Sequence, residues 1–262
     1  AFFISPSDSN APNIQDSRNA FKYVILMSSA IVAFIGFLVW KFMKVDQEIE
    51  KSVVLEKISI EKIREVLFLP SVWLLMVIVM CAYVGYKVTD VFSLYALDVM
   101  QYNHVDSAEV ATFLLYLRPL IAISIASFAW KFNNTSLIVI GFAISFLGSL
   151  LFSCGIITYS KTLLFLSSIF TLAIGVYSLR TVYFSVMEKG MIPLPLTGTA
   201  VGIISLIGYA PDVFIGPLMG YFLDNYEGIL GYQYVFALLS VFSLIGFFTA
   251  KKYHTLFDSD VN

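Results

Sequence analysis

Charge is scarce in this chain. Only 13% of the 262 residues are Asp, Glu, Lys or Arg, about half of the roughly 25% found in soluble domains. Mean hydropathy is correspondingly high, at +0.85. A water-facing globule of this size would be short of polar surface, which excludes an ordinary cytoplasmic enzyme. An apolar fraction of 59% excludes disorder and a coiled coil, and a formal net charge of -2 leaves no basic footprint for nucleic acid. Cysteine is also sparse: Cys81 and Cys154 both fall inside apolar stretches, so they read as packing residues rather than a disulfide framework. His104 and His254 stand alone, and no cluster of His, Cys or carboxylates suggests a metal site or a nucleophile. No cofactor is expected.

What the chain has in abundance is long apolar runs. A spanning helix needs about 20 mostly apolar residues, because a rise of ~1.5 Å each must cross a hydrocarbon core of roughly 30 Å. Seven stretches qualify, at about 21–42, 71–97, 109–130, 136–157, 162–186, 199–223 and 232–250. Strands of a membrane barrel would be near ten residues and alternate in polarity, as none of these do. The expected fold is an all-α membrane protein of seven transmembrane helices, the last six forming one bundle. The first residues have no initiator Met and no basic leader, and read as a chain entered partway through something larger.

Lys and Arg in the loops give the orientation. With the connection between the first two spans in the cytoplasm, Lys41, Lys44, Lys51, Lys57, Lys62, Arg64, Lys131, Lys189, Lys251 and Lys252 lie inside, and only Arg18, Lys22 and Lys161 outside. Trp40, Trp73 and Trp130 then fall at cytoplasmic span ends, as an interfacial aromatic belt requires. The amino terminus is expected outside and the carboxyl terminus inside.

The resulting organisation is an extracytoplasmic tail or end of a preceding helix (1–20), a leading span (21–42), a cytoplasmic linker (43–70), a six-helix bundle (71–253) and a cytoplasmic tail (254–262). The linker mixes charges with Ile49, Val53, Ile58, Ile63 and Leu67, a pattern that suits either a solvated connection or a partly helical segment lying on the membrane surface. Six spans divide into two sets of three, and an odd number per set makes the second inverted relative to the first.

A charge in hydrocarbon costs at least ~2.5 kcal/mol on insertion scales, so each one is a candidate functional residue. Five qualify: Lys87 and Asp90 in the second span, Arg118 in the third, Arg180 in the fifth and Asp212 in the sixth. The first, fourth and seventh spans have none and are expected to face lipid. Depth along the helix places Arg118 and Asp212 near the midplane, as the expected opposite-charge partners. It places Lys87 in the outer half and Arg180 in the inner half.

Lys87 and Asp90, three apart, share a helix face and form either an intrahelical pair or part of an outer gate. Arg118 and Asp212 form either a structural bridge or a substrate and proton site. Arg180 either snorkels or, with Tyr177, Thr181 and Phe184, lines a cavity wall. Tyr86, Tyr177 and Tyr209 join Lys87, Arg118 and Arg180 as candidate substrate-binding residues. Pro119 and Pro211 each put a helix break beside a charge, and Gly198, Gly202, Gly208, Gly216 and Gly220 permit close helix approach. Pro119, Pro211, Gly208 and Gly216 are the gating candidates.

At these residues the chain resembles the carboxyl-terminal half of a major facilitator superfamily transporter, helices six to twelve. The resemblance runs from about residue 21 onward. Its most telling part is Gly198-Thr-Ala-Val-Gly202, Gly208-Tyr-Ala-Pro-Asp212, Gly216-Pro-Leu-Met-Gly-Tyr-Phe-Leu-Asp224 and Gly231-Tyr-Gln-Tyr-Val-Phe236, which look like helix eleven, its exit loop and the start of helix twelve. Lys131-Phe-Asn-Asn-Thr135 lacks the Gly, Asp and Arg pattern common in the corresponding family loop. Arg118 in helix eight is similar to the nitrate and nitrite porters, but their Asn-Gly-Gly signature is absent, so nitrate itself is not expected; Lys87 in helix seven resembles organophosphate and organic-anion members.

The resemblance implies a secondary active transporter in the bacterial inner membrane, a symporter or antiporter working by alternating access. Its expected partners are a small solute, the bilayer and the amino-terminal half of the same transporter. Three buried cations against two buried anions favour an anionic solute. Arg118 would bind its anionic group in exchange for Asp212, which is also the candidate carrier of a coupling proton. The alternatives fare worse: a retinal photoreceptor needs a lysine deep in its last helix, and residues 232–250 contain none, while a membrane enzyme needs the catalytic cluster missing above.

Overall fold

A computed structural model describes residues 14–42, 60–129 and 133–257. The tail 1–13, the linker positions 43–59 with Lys44, Lys51, Lys57, Ile49, Val53 and Ile58, the loop positions Trp130 and Lys131, and residues 258–262 lie outside the described residues. The chain divides into two units, residues 1–57 and 58–262. The first contains α1 (Ile14–Phe42). From Lys22 to Phe42 this helix is long and apolar enough to cross a membrane. Ser28 and Ser29 return their hydroxyl hydrogens to the carbonyls of Val24 and Ile25 at 2.8 Å, so neither leaves an unpaired donor in lipid.

The second unit is entirely helical among the described residues: α2 (Ile60–Leu67), α3 (Pro70–Val88), α4 (Phe92–Asp98), α5 (His104–Ala129), α6 (Asn134–Ser153), α7 (Thr162–Val182), α8 (Thr197–Gly208), α9 (Pro211–Asn225) and α10 (Ile229–Phe257). These make six further spans, because α3 and α4 run on as 70–98 and α8 and α9 as 197–225. The all-helical fold and the seven spans stand as expected.

The α2 helix closes the former linker and packs against α3 and α8, with Val66 fully buried. The bundle therefore starts before residue 71. Its start is pinned by Pro70 at the first helical position of α3, where a missing N–H costs nothing. The side chain of Trp73 folds back to donate its indole N–H to the Leu67 carbonyl at 2.8 Å.

The span 70–98 is the hub. It packs on α7, α8, α9 and α10, and 61% of its apolar stretch is buried, against 22% for the spans 104–127 and 197–225. Behind it, α6 packs on α7 and α10 through small residues. A Cβ on Gly141 would stand 2.9 Å from Leu179, and one on Gly148 2.9 Å from Leu172, so these helices approach as closely as glycine allows. The α6 helix, which carries no charge, and α10, whose charges Lys251 and Lys252 lie in its last turns, are thus the backing of the bundle, exposing Ile140, Leu147, Val241 and Phe248 on their other side. The span of α5, with Arg118, and that of α8 and α9, with Asp212, stand in front, the least buried spans of the bundle.

Two breaks shape the front. Between α3 and α4 the helix tightens into a 3-10 turn at Thr89–Val91, a break the sequence reading lacks. Val88, Thr89 and Val91 are β-branched, which weakens the α-helix there, and Thr89 returns its hydroxyl to the Tyr86 carbonyl at 2.7 Å. Between α8 and α9 the chain breaks at Tyr209–Ala210, with Pro211 opening α9. Pro119 makes no break. It lies inside continuous α5, where the ring removes one backbone bond and the remaining turns hold the helix.

Cys81 is buried as a packing residue, but Cys154 is exposed at the end of α6, contrary to the reading from its apolar neighbours.

Candidate functional site

The five intramembrane charges converge on one side of α3, but not in the pairing their depth suggests. Asp212 bonds Lys87 rather than Arg118: Lys87 Nζ lies 3.1 Å from its Oδ1, and Tyr83 donates its phenol hydrogen to Oδ2 at 2.8 Å. Arg118 pairs with Asp90, Nη2 to Oδ1 at 3.5 Å. Lys87 and Asp90 therefore reach in different directions and form no pair with each other. The register on α3 explains this. Tyr83 and Lys87 are one turn apart and make one stripe, which faces α9; Tyr86 and Asp90 make the neighbouring stripe, which faces α5.

Asp212 occupies its position for a local reason as well. Pro211 starts α9, so Asp212 sits in the first turn of that helix, where unpaired backbone N–H groups favour a negative charge. Lys87 completes the neutralisation from α3. The break itself is tied by Ala210 N–H to the Ile207 carbonyl at 3.1 Å and Asp212 N–H to the Tyr209 carbonyl at 3.1 Å. Gly208 meets Val79 of α3 so closely that no Cβ fits between them. Of the glycines in this span, Gly208 alone is in close contact among the described residues; Gly198, Gly202, Gly216 and Gly220 face open space. Gly216 is accordingly no packing point within the bundle.

Tyr209 turns to the same region. Its ring meets Tyr83 edge-on at 4.8 Å, and its hydroxyl lies 3.1 Å from that of Tyr183, a residue the sequence reading omits together with Tyr83. Tyr83 was recoverable from its spacing of four before Lys87. Tyr183 was not, since only the packing of α7 against α3 brings it there.

Arg118 is held independently of its carboxylate. It donates from Nη1 to the Tyr86 hydroxyl at 2.8 Å and from Nε to the Tyr177 hydroxyl at 3.4 Å. Its guanidinium lies over both rings, 4.7 Å from the centre of Tyr86 and 5.6 Å from that of Tyr177. Arg180 joins from α7, its guanidinium 3.9 Å from the Tyr86 ring centre and 5.7 Å from that of Tyr83. Both cations stand within 5 Å of one ring centre. The α3 and α7 helices cross at Gly85, where a Cβ would be 3.1 Å from Val176, and this close crossing leaves Tyr86 within reach of Arg180.

Among the described residues no carboxylate lies within 4.0 Å of Arg180. Lys87 and Arg118 each have one, so the cluster carries one uncompensated positive charge. Arg118, Arg180, Tyr86, Tyr177, Thr181 and Pro119 line a cavity of about 370 Å³, which falls in the size range of small-molecule sites. The arrangement can bind an anion by direct guanidinium hydrogen bonds. Among the described residues no group of His, Cys, Asp and Glu is placed to hold a metal ion.

No protein-family model and no solved structure matches the chain. Two curated proteins of Escherichia coli strain K12 do. Inner membrane protein YqcE is 24% identical over 228 residues, which covers 83% of this chain and 53% of that protein. Inner membrane protein YihN is 40% identical over 78 residues, 29% of this chain and 18% of that protein. The chain thus spans about half the length of the relative that it matches almost throughout. It is an all-helical, multi-pass membrane protein with relatives among bacterial inner membrane proteins.

Proposed function

We propose that this chain belongs to a secondary transporter of the bacterial inner membrane that moves a small anionic solute, and that it forms the carboxyl-terminal half of a major-facilitator-type fold. The observation that carries the reading is Arg180, a cation with no carboxylate within 4.0 Å among the described residues, stacked on Tyr86 at the wall of a cavity that it shares with Arg118. A lone charge at membrane depth is costly unless something compensates it. A substrate anion is that compensation. Catalysis is not required of any of these groups, and the site is read as one for binding and release rather than chemistry.

In this reading the amino terminus is outside and the carboxyl terminus in the cytoplasm. The amino-terminal half of the transporter covers the open front of α5, α8 and α9. Alternating access then turns on the α8–α9 break at Pro211 and on the Lys87–Asp212 link between α3 and α9, with a proton as the candidate coupling ion on Asp212.

The test is uptake of labelled mono- and dicarboxylates and phosphate esters into vesicles carrying the full protein. Arg180→Gln and Arg118→Gln are expected to abolish uptake of whichever anion the parent takes up, and Asp212→Asn to change its dependence on external pH. Parental rates in both arginine variants would overturn the site.

A further inference from the structure

The two arginines of the cavity differ in one respect: Arg180 has no carboxylate beside it, and Arg118 has Asp90. That carboxylate is weakly held. Its one polar contact among the described residues is Arg118 Nη2, at 3.5 Å, the outer limit of a hydrogen bond, and its side chain is 56% exposed. Asp212, nearly as exposed at 49%, differs in its partners, with Lys87 at 3.1 Å, Tyr83 at 2.8 Å and a helix N-terminus around it. Asp90 also sits on the 3-10 turn between α3 and α4 rather than within a regular helix. Arg118, for its part, does not need Asp90 to stay in place, because the Tyr86 hydroxyl holds its Nη1 edge at 2.8 Å and its guanidinium lies over the Tyr86 and Tyr177 rings.

We propose that Asp90 is a built-in competitor for the anion site: its carboxylate holds the Nη2 edge of Arg118 until the anionic group of the substrate replaces it. The inference rests on the anion reading above and makes Asp90 a residue that sets affinity, while Arg180 sets selectivity. An anion that reaches only Arg118 exchanges one carboxylate contact for another and gains little. One that also reaches Arg180 adds a guanidinium contact that displaces nothing. The site therefore discriminates in favour of a group with several anionic oxygens, a phosphoryl group or a dicarboxylate, over a simple monocarboxylate. Asp212, with its three stabilising neighbours, stays in its link to Lys87 throughout.

Binding to the purified full protein at low ionic strength tests this, with succinate, inorganic phosphate and acetate as probes in equilibrium dialysis. An exposed ion pair is worth enough that its removal as a competitor tightens binding by roughly 1.4- to fivefold. Asp90→Asn and Asp90→Ser are both expected to bind succinate and phosphate more tightly by that factor, with their advantage over acetate kept because it comes from Arg180, while Asp90→Glu stays near the parent. Arg180→Gln is expected to weaken succinate and phosphate in the parental and the Asp90→Asn backgrounds alike. If binding depends on Arg180 but neither neutral variant at position 90 tightens it, the competitor role is wrong and the anion reading stands. If succinate and phosphate show no binding that depends on Arg180, the anion reading itself falls.

Discussion

Replacing Gly175 by alanine adds a single methyl group at the point where α7 lies closest to α6. The new Cβ would stand 2.5 Å from Ser145 Oγ, 2.7 Å from Ser145 N and 3.0 Å from the Gly141 carbonyl oxygen. The hydroxyl can rotate away, but the backbone atoms cannot. Bringing the Cβ to an ordinary contact of about 3.5 Å from Ser145 N requires the helices to separate by about 0.8 Å. That separation loosens Gly141 against Leu179 and Gly148 against Leu172 at the same interface. Overpacking of this kind costs about 1–3 kcal/mol, and alanine returns roughly 0.5–1 kcal/mol through its better helix propensity. The net expectation is a loss of about 0.5–2 kcal/mol, and a larger one for Gly175→Val.

Gly202→Ala in this chain is the control, because a Cβ there meets nothing within 4 Å among the described residues; the propensity gain is then unopposed within the chain and the change is neutral or stabilising. Thermal unfolding followed by a thiol-reactive dye reads both. Cys81 is buried and becomes reactive on unfolding, provided exposed Cys154 is first replaced by serine. At about 2–4 °C per kcal/mol for a chain of this size, Gly175→Ala lowers the midpoint by up to several degrees. A midpoint at or above the parent's would refute the claim that glycine sets the α6–α7 spacing.

Tyr86 serves both cations, and two substitutions separate its roles. Tyr86→Phe keeps the ring under Arg180 and removes the hydroxyl at 2.8 Å from Arg118 Nη1; with a hydrogen bond to a charged group worth about 1.5–3 kcal/mol, KM for the anion is expected to rise roughly tenfold or more. Tyr86→Leu also loses the stacking on both guanidiniums, and is expected to raise KM further; equal effects of the two would show that the ring contributes nothing. The Lys87–Asp212 pair gives a second comparison. Lys87→Met or Asp212→Asn alone leaves one charge of the link between α3 and α9 without its counter-charge, whereas the double variant removes both. Thermal midpoints are expected to fall in each single variant and to recover in the double, and additive losses would show that the two do not act as a pair.

Seven spans were legible because their signal is one-dimensional: length and hydropathy alone decide whether a helix can cross a bilayer. The breaks within them were harder. Proline is a strong signal in sequence, yet Pro119 lies in an unbroken helix and Pro211 opens a new one. The difference is in what surrounds them. Around Pro211, Gly208 and Tyr209 allow the helix to end and the next to begin at a proline-compatible first position. Pro119 is followed by Leu120, Ile121, Ala122 and Ile123, which continue the helix. At Thr89–Val91 there is no proline at all, and the turn comes from β-branched residues and a threonine hydroxyl that takes the Tyr86 carbonyl.

The five charges inside the spans were read from position alone, but their partners were not legible. Depth orders residues along the membrane normal and contains nothing about the direction in which a helix face points. Residue counting sets Arg118 and Asp212 near the same depth, yet α5 packs on α4 and α7 while α9 packs on α3 and α10, so each meets a different stripe of the hub. The missing coordinate was partly present in the sequence, as the spacing Tyr83, Tyr86, Lys87, Asp90. Read as helical stripes, it puts an aromatic one turn before each charge, and the structure assigns one aromatic-charge stripe to Asp212 and the other to Arg118. Arg180 is the residue no such pattern reaches. Its environment depends on the close crossing at Gly85, a contact between positions 91 residues apart in sequence, Gly85 and Val176. That crossing is what converts two separate ion pairs and a distant cation into one electropositive cavity. Bulk at Gly85 would therefore separate Arg180 from Tyr86 without touching any charged group.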